Sequence, residues 1–342
     1  MLAPGGVVLP AIIEAEGLTK SYKDVHALSG LDLTIPKGTV FGLLGPNGAG
    51  KTTAVSILTT LIKPDSGSAS VAGVDVRKRP QDVRAKIGLS GQYAAVDEYL
   101  TAYENLDMIG RLYHLNRKAS QQRARELLAQ FDLTDAADRP VRGYSGGMRR
   151  RLDLAGALVA RPPVIFLDEP TTGLDPRSRM GMWQVIESLV ADGATLLLTT
   201  QYLEEADRLA DEIMVIDNGK AIAQGTAESL KAQVGGERIE VRLADGDRLD
   251  DARSVLAPFS QGEMQIDVGR RTILAPSDGG APIFAKALVA LDGANIEILD
   301  VALRRPTLDD VFLTLTGHHA EADTAKHSDD GETELTNEKG AK

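Results

Sequence analysis

The sequence contains no cysteine, and none of its apolar runs approaches the roughly eighteen residues that a membrane-spanning helix needs. The lack of cysteine excludes disulfide bonds and thiolate metal sites, and it fits a reducing compartment. Residues 1–13 (MLAPGGVVLPAII) lack the basic flank and the cleavage pattern of a signal peptide. We therefore expect a cytosolic protein.

The chain is also poor in positive charge, because 38 lysines and arginines face 49 acidic residues and leave a net charge of −11. This balance argues against a surface that follows the phosphates of nucleic acid, and against anionic lipid alone holding the protein at a membrane. The 342 residues are 43% hydrophobic and 25% charged. That composition is typical of a globular protein with enough apolar residues for two domains.

From Ala11 to Thr226, short apolar runs alternate with helical patterns, which predicts an α/β fold with a mainly parallel sheet covered by helices. Five nearly continuous apolar runs are typical of strands buried on both faces, at residues 40–45, 86–90, 163–168, 194–200 and 212–217. Residues 99–131 have a helical pattern with little strand character. They predict a separate helical lobe within residues 92–161.

The glycine pair at 235–236 predicts a linker between a first domain at residues 1–234 and a smaller one at residues 235–317. The smaller segment has the pattern strand, helix, strand, strand, helix, strand, which predicts a ferredoxin-like α+β domain at the C-terminal side. It closes with a short apolar helix that starts at a capping-box sequence and that we expect to pack between domains or across a dimer. Residues 318–342 are acidic and poor in apolar residues, so we expect disorder there.

The sequence GPNGAGKT at residues 45–52 follows an apolar strand and opens a helical pattern, as a phosphate-binding P-loop does. Such a loop needs glycine where its backbone N–H groups close around phosphate oxygens, here at Gly45, Gly48 and Gly50. Lys51 can then reach the β and γ phosphates, and the Thr52 hydroxyl can ligate magnesium. A glycine-rich turn that matches by chance is the alternative, and the flanking strand and helix argue against it.

A second motif, PVIFLDEP, places Asp168 and Glu169 at the end of an apolar strand. Ligands of open parallel sheets bind beyond the carboxyl ends of the strands, which is where the P-loop also lies. Asp168 is therefore suited to hold magnesium, directly or through water, and Glu169 is suited to polarise the water that attacks a γ phosphate. Without a P-loop in the same chain, this pair would be typical of a solvated strand end.

A third motif, YSGGMRRRLDLAGALVA at residues 144–160, predicts a helix capped by Ser145. Its first turn carries Arg149, Arg150 and Arg151, although the helix dipole disfavours cations there by about 0.3 to 1 kcal/mol each. Two interpretations remain open. Either the arginines add to a positive field that meets an anion, or their long side chains extend into solvent.

These motifs together resemble the ATP-binding cassette (ABC) family of P-loop NTPases over residues 12–226. GPNGAGKTT is similar to the family's phosphate-binding motif, which implies ATP binding by Gly45, Pro46, Asn47, Gly48, Ala49, Gly50, Lys51, Thr52 and Thr53. VIFLDEPTTGLD is similar to its second nucleotide motif, and YSGGM is similar to its signature. The family more often has leucine at the position of Tyr144 and glutamine at that of Met148.

The resemblance implies roles for four further residues. Tyr22 would stack on adenine, Gln92 would contact magnesium and the attacking water, and Asp175 would lie in the D-loop next to the nucleotide. Gln201 stands where most of the family has histidine. Its amide can still donate a hydrogen bond to the γ phosphate, but it cannot become cationic.

In this family two cassettes pair head to tail, so that each ATP lies between the P-loop of one chain and the signature of the other. For this chain the resemblance implies that the γ phosphate is contacted across the dimer by Ser145, Gly146 and Gly147. Each nucleotide motif occurs once, so a homodimer is the simplest way to complete two sites.

The stretches GLSGQYAAVDEYLTAYENL, YSGGMRRRLDLAGALV and LLLTTQYLEEAD resemble the daunorubicin-resistance type of exporter subunit, including the glutamine at position 201. This implies an ATPase at the cytoplasmic face of the cell membrane that drives a separate integral-membrane permease and exports hydrophobic drugs or lipids, with no role for nucleic acid. The permease would dock beside residues 92–100 and the helical lobe. Two alternatives remain: an ABC protein that gates interactions with little turnover, and a soluble ABC protein that acts on nucleic acid or ribosomes.

Overall fold

The structure, a computed structural model, describes residues 10–91, 95–234 and 236–316. In chain order the strands are β1 (Ala11–Tyr22), β2 (Val25–Pro36), β3 (Val40–Leu44), β4 (Ser66–Val71), β5 (Val74–Asp75), β6 (Ile87–Ser90), β7 (Val164–Asp168), β8 (Thr195–Thr200), β9 (Glu212–Asp217), β10 (Lys220–Gly225), β11 (Arg238–Leu243), β12 (Gln265–Asp267), β13 (Thr272–Pro276) and β14 (Ile298–Arg304).

The α-helices are α1 (Lys51–Leu58), α2 (Pro80–Arg84), α3 (Ala102–Leu112), α4 (Arg117–Gln130), α5 (Gly146–Ala157), α6 (Pro176–Ala191), α7 (Leu203–Leu209), α8 (Ala227–Val234), α9 (Leu249–Leu256), α10 (Gly280–Gly293) and α11 (Leu308–Thr316). Short 3-10 turns cover Thr134–Ala136, Val141–Gly143, Gly246–Arg248 and Ala257–Phe259. In the part of the chain that the structure describes, we find no helix of the length and apolarity required to cross a bilayer.

The central sheet has the strand order β10-β9-β3-β8-β7-β6. Its strands are parallel from β9 to β6, and β10 joins the edge antiparallel. The five apolar runs are confirmed as strands, each with ends within one residue of the prediction. Both faces are covered: along β3, Phe41 and Leu43 pack into one apolar cluster, and Val40 packs into another on the opposite face. The mainly parallel α/β prediction is therefore confirmed.

A second sheet, antiparallel in the order β2-β1-β4-β5, packs on one face of the central sheet. Its side chains Ile13, Leu31 and Ile35 share a core with Phe41 and Phe166 of the central strands. The sequence did not predict this sheet. Its strands are only half buried, and register shifts interrupt the pairing of β1 with β2, so that the alternation of apolar and polar residues is irregular.

The helical lobe covers the other face, and the helical pattern of residues 99–131 is confirmed as α3 and α4. A capping box starts α3, since Thr101 Oγ1 accepts from the N–H of Glu104 and the Glu104 carboxylate accepts from the N–H of Thr101. The lobe returns to the sheet through α5, where Leu152 packs in the same cluster as Ile165 of β7. This helix therefore carries the signature from the lobe to the end of β7.

The third sheet has the order β12-β13-β11-β14, and each neighbouring pair is antiparallel. Residues 238–304 contain the predicted order of strand, helix, strand, strand, helix, strand. The final helix α11 then returns to the first part of the chain and packs on α7 and α8, with Phe312 and Val311 against Leu203 and Leu230. The predicted domain boundaries remain a prediction, and residues 318–342 lie outside the described residues.

Candidate active site

The loop at residues 45–50 joins β3 to α1, and its glycines are required by close packing. A Cβ atom on Gly45 would lie 2.3 Å from the carbonyl oxygen of Ile216. Gly50 has a φ of 108°, and a Cβ there would lie 2.4 Å from the carbonyl oxygen of Ala27. Only glycine fits both positions, so the loop can turn tightly at the start of α1.

Lys51 is the first residue of α1, and its ammonium lies inside the loop. The side chain is 4% exposed, and Nζ donates to the carbonyl oxygens of Gly45 at 2.7 Å and Pro46 at 3.1 Å. The same Nζ lies 3.6 Å from Oε1 of Glu169. This places a buried cation at a helix N-terminus, which is where an anion is bound most strongly.

Asp168 lies at the carboxyl end of β7 and faces the first turn of α1. Its Oδ1 accepts hydrogen bonds from Thr52 Oγ1 at 3.3 Å and from Thr199 Oγ1 at 2.5 Å. The contact with Thr199 follows from the register of the parallel pair, in which Asp168 lies opposite Thr199 of β8. A carboxylate beside a hydroxyl is a donor set that fits Mg2+, which takes its remaining ligands from phosphates and water.

Glu169 has a left-handed backbone conformation, with a φ of 51°, which residues other than glycine seldom adopt. Its N–H donates to the carbonyl oxygen of Thr199 at 3.1 Å and to Thr199 Oγ1 at 3.0 Å. Its Oε2 accepts from Thr172 Oγ1 at 3.2 Å, while Oε1 faces Lys51. The strained backbone thus presents a buried carboxylate to the phosphate-binding loop.

Thr199 is a site residue that the sequence analysis missed. It links both members of the Asp-Glu pair to β8 through its hydroxyl. A signal was present, because the apolar strand ATLLLTT ends in two threonines beside a strand that ends in Asp168.

Ser145 caps α5 as predicted, with Oγ accepting from the N–H of Met148 at 3.3 Å. Gly146 has open space where a Cβ would point, whereas a Cβ on Gly147 would lie 2.7 Å from Ser178 Oγ. Asp175 in turn caps α6 by accepting from the N–H of Ser178 at 3.0 Å and from its hydroxyl at 2.5 Å, and these bonds hold the pKa of the Asp175 carboxyl below its usual range. The structure therefore brings the signature and the D-loop together.

The three arginines of the signature helix all have acceptors in their own chain. Arg149 pairs with Glu98 at 2.9 Å, and Arg151 donates to the carbonyl oxygen of Phe131 at 3.0 Å. Arg150 is buried and donates to backbone carbonyl oxygens at the end of β7. For Arg150 the solvent interpretation is wrong, because the side chain is buried. The interpretation that the arginines add to a positive field stays a prediction.

The remaining candidate site residues differ in exposure and in contacts, and one of them is not described by the structure. Tyr22 ends β1 with 47% of its surface exposed, and Lys20 Nζ lies 5.7 Å from the centre of its ring. Gln201 directly follows β8, and its Oε1 is buried without a hydrogen-bond partner among the described residues. Asn47, Gly48, Ala49 and Thr53 lie in the loop and in the first turn of α1. The glutamine predicted to contact magnesium, Gln92, lies outside the described residues.

A parallel sheet whose phosphate loop meets an Asp-Glu strand end defines a P-loop ATPase. A family model described as ABC transporter matches residues 28–172. Because ATP-binding proteins of this kind are 47% to 54% identical over 90% to 92% of the chain, the chain belongs to the ABC transporter family and is an ATP-binding ATPase of that family.

Relatives in this family cover nearly the whole chain. It is 54% identical to the "Daunorubicin resistance ATP-binding protein DrrA2" of Streptomyces coeruleorubidus over 92% of this chain and 98% of that one. It is 47% identical to the "Daunorubicin/doxorubicin resistance ATP-binding protein DrrA" of Streptomyces peucetius, over 90% of this chain and 93% of that one.

A similar solved structure is the dimeric post-hydrolysis state of the ATP-binding cassette MJ0796 bound to ADP and Pi. It is 26% identical, with a TM-score of 0.58 over 63% of this chain and 98% of that one.

Proposed function

We propose that this chain is the ATP-hydrolysing subunit of an exporter for hydrophobic drugs or lipids. It works as a homodimer on a separate membrane permease, at the cytoplasmic face of the cell membrane. The observation that carries the proposal is the arrangement of Glu169, whose buried carboxylate faces Lys51 of the phosphate loop. A binding module needs only the loop, whereas hydrolysis needs a base in this position.

The chain's own residues divide the reaction between them. The loop N–H groups and Lys51 hold the phosphates of ATP, and Tyr22 stacks on the adenine. Thr52 and Asp168 would hold Mg2+, which when bound neutralises negative charge on the phosphates. Glu169 accepts a proton from the water that attacks the γ phosphorus as the bond to the ADP oxygen breaks, and the amide of Gln201 donates to the γ phosphate.

The dimer completes each site from the second chain. Ser145 and Gly146 are exposed at the start of α5, so their hydroxyl and N–H groups can meet the γ phosphate of ATP held by the other cassette. Gly147 packs on Ser178 beside Asp175, so the signature and the D-loop would approach the partner as one surface. Hydrolysis removes this bridge and lets the halves separate.

The proposed docking site for the permease is a groove of about 350 Å³ between the central sheet and the helical lobe. Its lining is mainly apolar and includes Leu61, Val96, Ile109 and Tyr113. Leu61 is 62% exposed. An apolar groove at this place, beside residues 92–100, suits a short helix from a membrane protein.

Steady-state ATP hydrolysis by the purified chain tests the catalytic part of the proposal, with Glu169→Gln as the matched variant. We expect kcat to fall by about 10² to 10⁴-fold in this variant, because the general base is lost. ATP should still drive its dimerisation, measured as molar mass by light scattering. A native chain that turns over no faster than Glu169→Gln would instead support the interaction module with little turnover.

Drug accumulation in cells tests the transport part. The chain is co-expressed with a candidate permease of the same organism, and cellular retention of daunorubicin is measured with the native chain and with the Glu169→Gln chain. Lower retention with the native chain alone supports export. Equal retention, together with co-sedimentation of the chain with ribosomes, would favour the soluble alternative.

A further inference from the structure

The signature helix α5 carries a buried arginine, Arg150, whose side chain contacts other segments of the same chain. Arg150 is 7% exposed, and its guanidinium donates to four backbone carbonyl oxygens. Three of these belong to consecutive residues: Nη2 lies 3.0 Å from the oxygen of Asp168 and 2.9 Å from that of Glu169, and Nε lies 2.9 Å from that of Pro170. The fourth, at Gly91, accepts from Nη1.

Asp153, three residues further along α5, holds the neighbouring segment. Its Oδ2 accepts from Ser90 Oγ at 2.6 Å, and its Oδ1 accepts from the N–H of Ala95 at 2.6 Å. Arg150 and Asp153 thus bind both flanks of residues 92–94. Burial lowers the pKa of Arg150 and raises that of Asp153, and the attraction between the two charges opposes both shifts.

Three consecutive carbonyl groups that converge on one point repel each other through their negative ends. The planar fork of arginine supplies several donors and a charge at that point, which neither lysine nor an apolar residue can match. Glu169 is the middle residue of the three, and its φ of 51° is a strained conformation. Without the guanidinium the three oxygens would lose their shared buried donor, with only the N–H of Thr172 still donating to the Glu169 oxygen at 3.3 Å. The peptide would then relax and turn the Glu169 carboxylate away from Lys51.

We propose that Arg150, supported by Asp153, is a positioning residue that fixes Glu169 and couples it to the helix serving the opposite site. This inference rests on the ATPase dimer proposed above. In that dimer the start of α5 engages ATP held by the partner. A displacement of α5 then reaches Glu169 of the same chain through one buried side chain, so nucleotide at one site sets the catalytic carboxylate of the other.

Arg150→Lys tests the positioning role, because it keeps the charge and loses the fork. We expect kcat to fall by about tenfold to a hundredfold, while the Kd for ATP stays within about twofold. Arg149→Lys is the matched control on the same turn, since Arg149 makes a surface pair with Glu98. Asp153→Asn is a second variant, which removes a charge but no heavy atom from the core. Its kcat should also fall while its Kd for ATP stays close to native.

A native kcat in a folded Arg150→Lys chain would overturn the proposal, as would parallel losses of kcat and ATP affinity in both variants. Hydrolysis by the native chain separates this failure from that of the proposed function. If the native chain hydrolyses ATP while Arg150→Lys equals it, only the positioning role is wrong.

Mixed dimers test the direction of coupling, with single-turnover hydrolysis of bound ATP as the readout. If Arg150 acts on its own chain, combining Arg150→Lys with Glu169→Gln in one protomer leaves the native partner's site active. Placing the two changes in opposite protomers then disables both sites. If Arg150 instead acts through the signature on the partner's ATP, the two arrangements exchange their activities, and the proposal is rejected.

Discussion

The docking of α11 predicts that a residue far along the chain stabilises the ATP-binding part. Phe312 is 2% exposed and packs with Leu203, Ala206 and Leu230. Replacing a buried phenylalanine by alanine costs about 3 to 5 kcal/mol. We expect the lower end for Phe312→Ala, about 3 kcal/mol, because a short terminal helix can shift to fill part of the cavity.

The only tryptophan of the chain, Trp183 in α6, reports on this region. It is 3% exposed, and its Nε1 donates to Glu205 of α7 at 3.0 Å, while α7 itself packs on α11. Its fluorescence should therefore follow the loss of the ATP-binding core in urea. With a slope of about 3 kcal/mol per M, a loss of about 3 kcal/mol lowers the midpoint by about 1 M.

Leu315→Ala is the control, because Leu315 lies on the same helix and is 38% exposed. Its midpoint should stay close to native, since substitutions at exposed positions usually change stability by less than about 0.5 kcal/mol. If Phe312→Ala and Leu315→Ala unfold at the same urea concentration by Trp183 fluorescence, then α11 does not stabilise the ATP-binding core, and the packing argument is wrong.

Two further predictions concern the site. In Gly146→Ala the added methyl group meets open space, so the Tm should match that of the native chain. We expect kcat to fall, because the methyl group would stand between the helix N–H groups and the partner's ATP. Gly181→Ala in α6 is the control, and an unchanged kcat in Gly146→Ala would argue against the head-to-tail site. Burial raises the pKa of Glu205, so the folded chain binds this proton more tightly and loses stability as pH rises above 4.5, the ordinary value. Glu205→Gln keeps an acceptor for Trp183, and its Tm should rise relative to that of the native chain as the pH increases above 4.5, whereas a constant difference would contradict this.

The residues of the phosphate loop could be assigned from sequence because the motif occupies consecutive positions between a strand and a helix. The strand before the loop is buried on both faces, although the carbonyl groups that exclude a Cβ at Gly45 and Gly50 belong to Ile216 and Ala27 of other strands. A continuous apolar run followed by a short motif is therefore enough to predict the phosphate loop from the sequence. The meeting of Thr52 with Asp168 also followed, because parallel strands bring their carboxyl ends to one edge.

The contacts of Arg150 could not be assigned in the same way, because they depend on where α5 crosses the ends of β6 and β7. A local pattern shows only that three arginines share one turn. One signal did exist: Asp153 interrupts the apolar sequence LDLAGALV, and a carboxylate on a buried helix face requires donors nearby. The antiparallel sheet escaped prediction for a related reason, since its pairing with the central core fixes its residues more than their own periodicity does.

One of the three arginines near the start of the signature helix, Arg150, is stabilised by carbonyl oxygens at the carboxyl end of strand β7. Beyond the carboxyl end of β7, the carbonyl oxygens of Asp168, Glu169 and Pro170 accept from Arg150. The Glu169 oxygen also accepts from the N–H of Thr172. The P-loop, which follows β3 of the same parallel sheet, lies at the same edge. Arg150 of α5 thus donates to the acceptors at this edge of the sheet, while the N–H groups of the loop are its donors. Glu169, the proposed general base, lies between Arg150 and the phosphate loop, so its backbone, and not its carboxylate alone, should be sensitive to the position of α5.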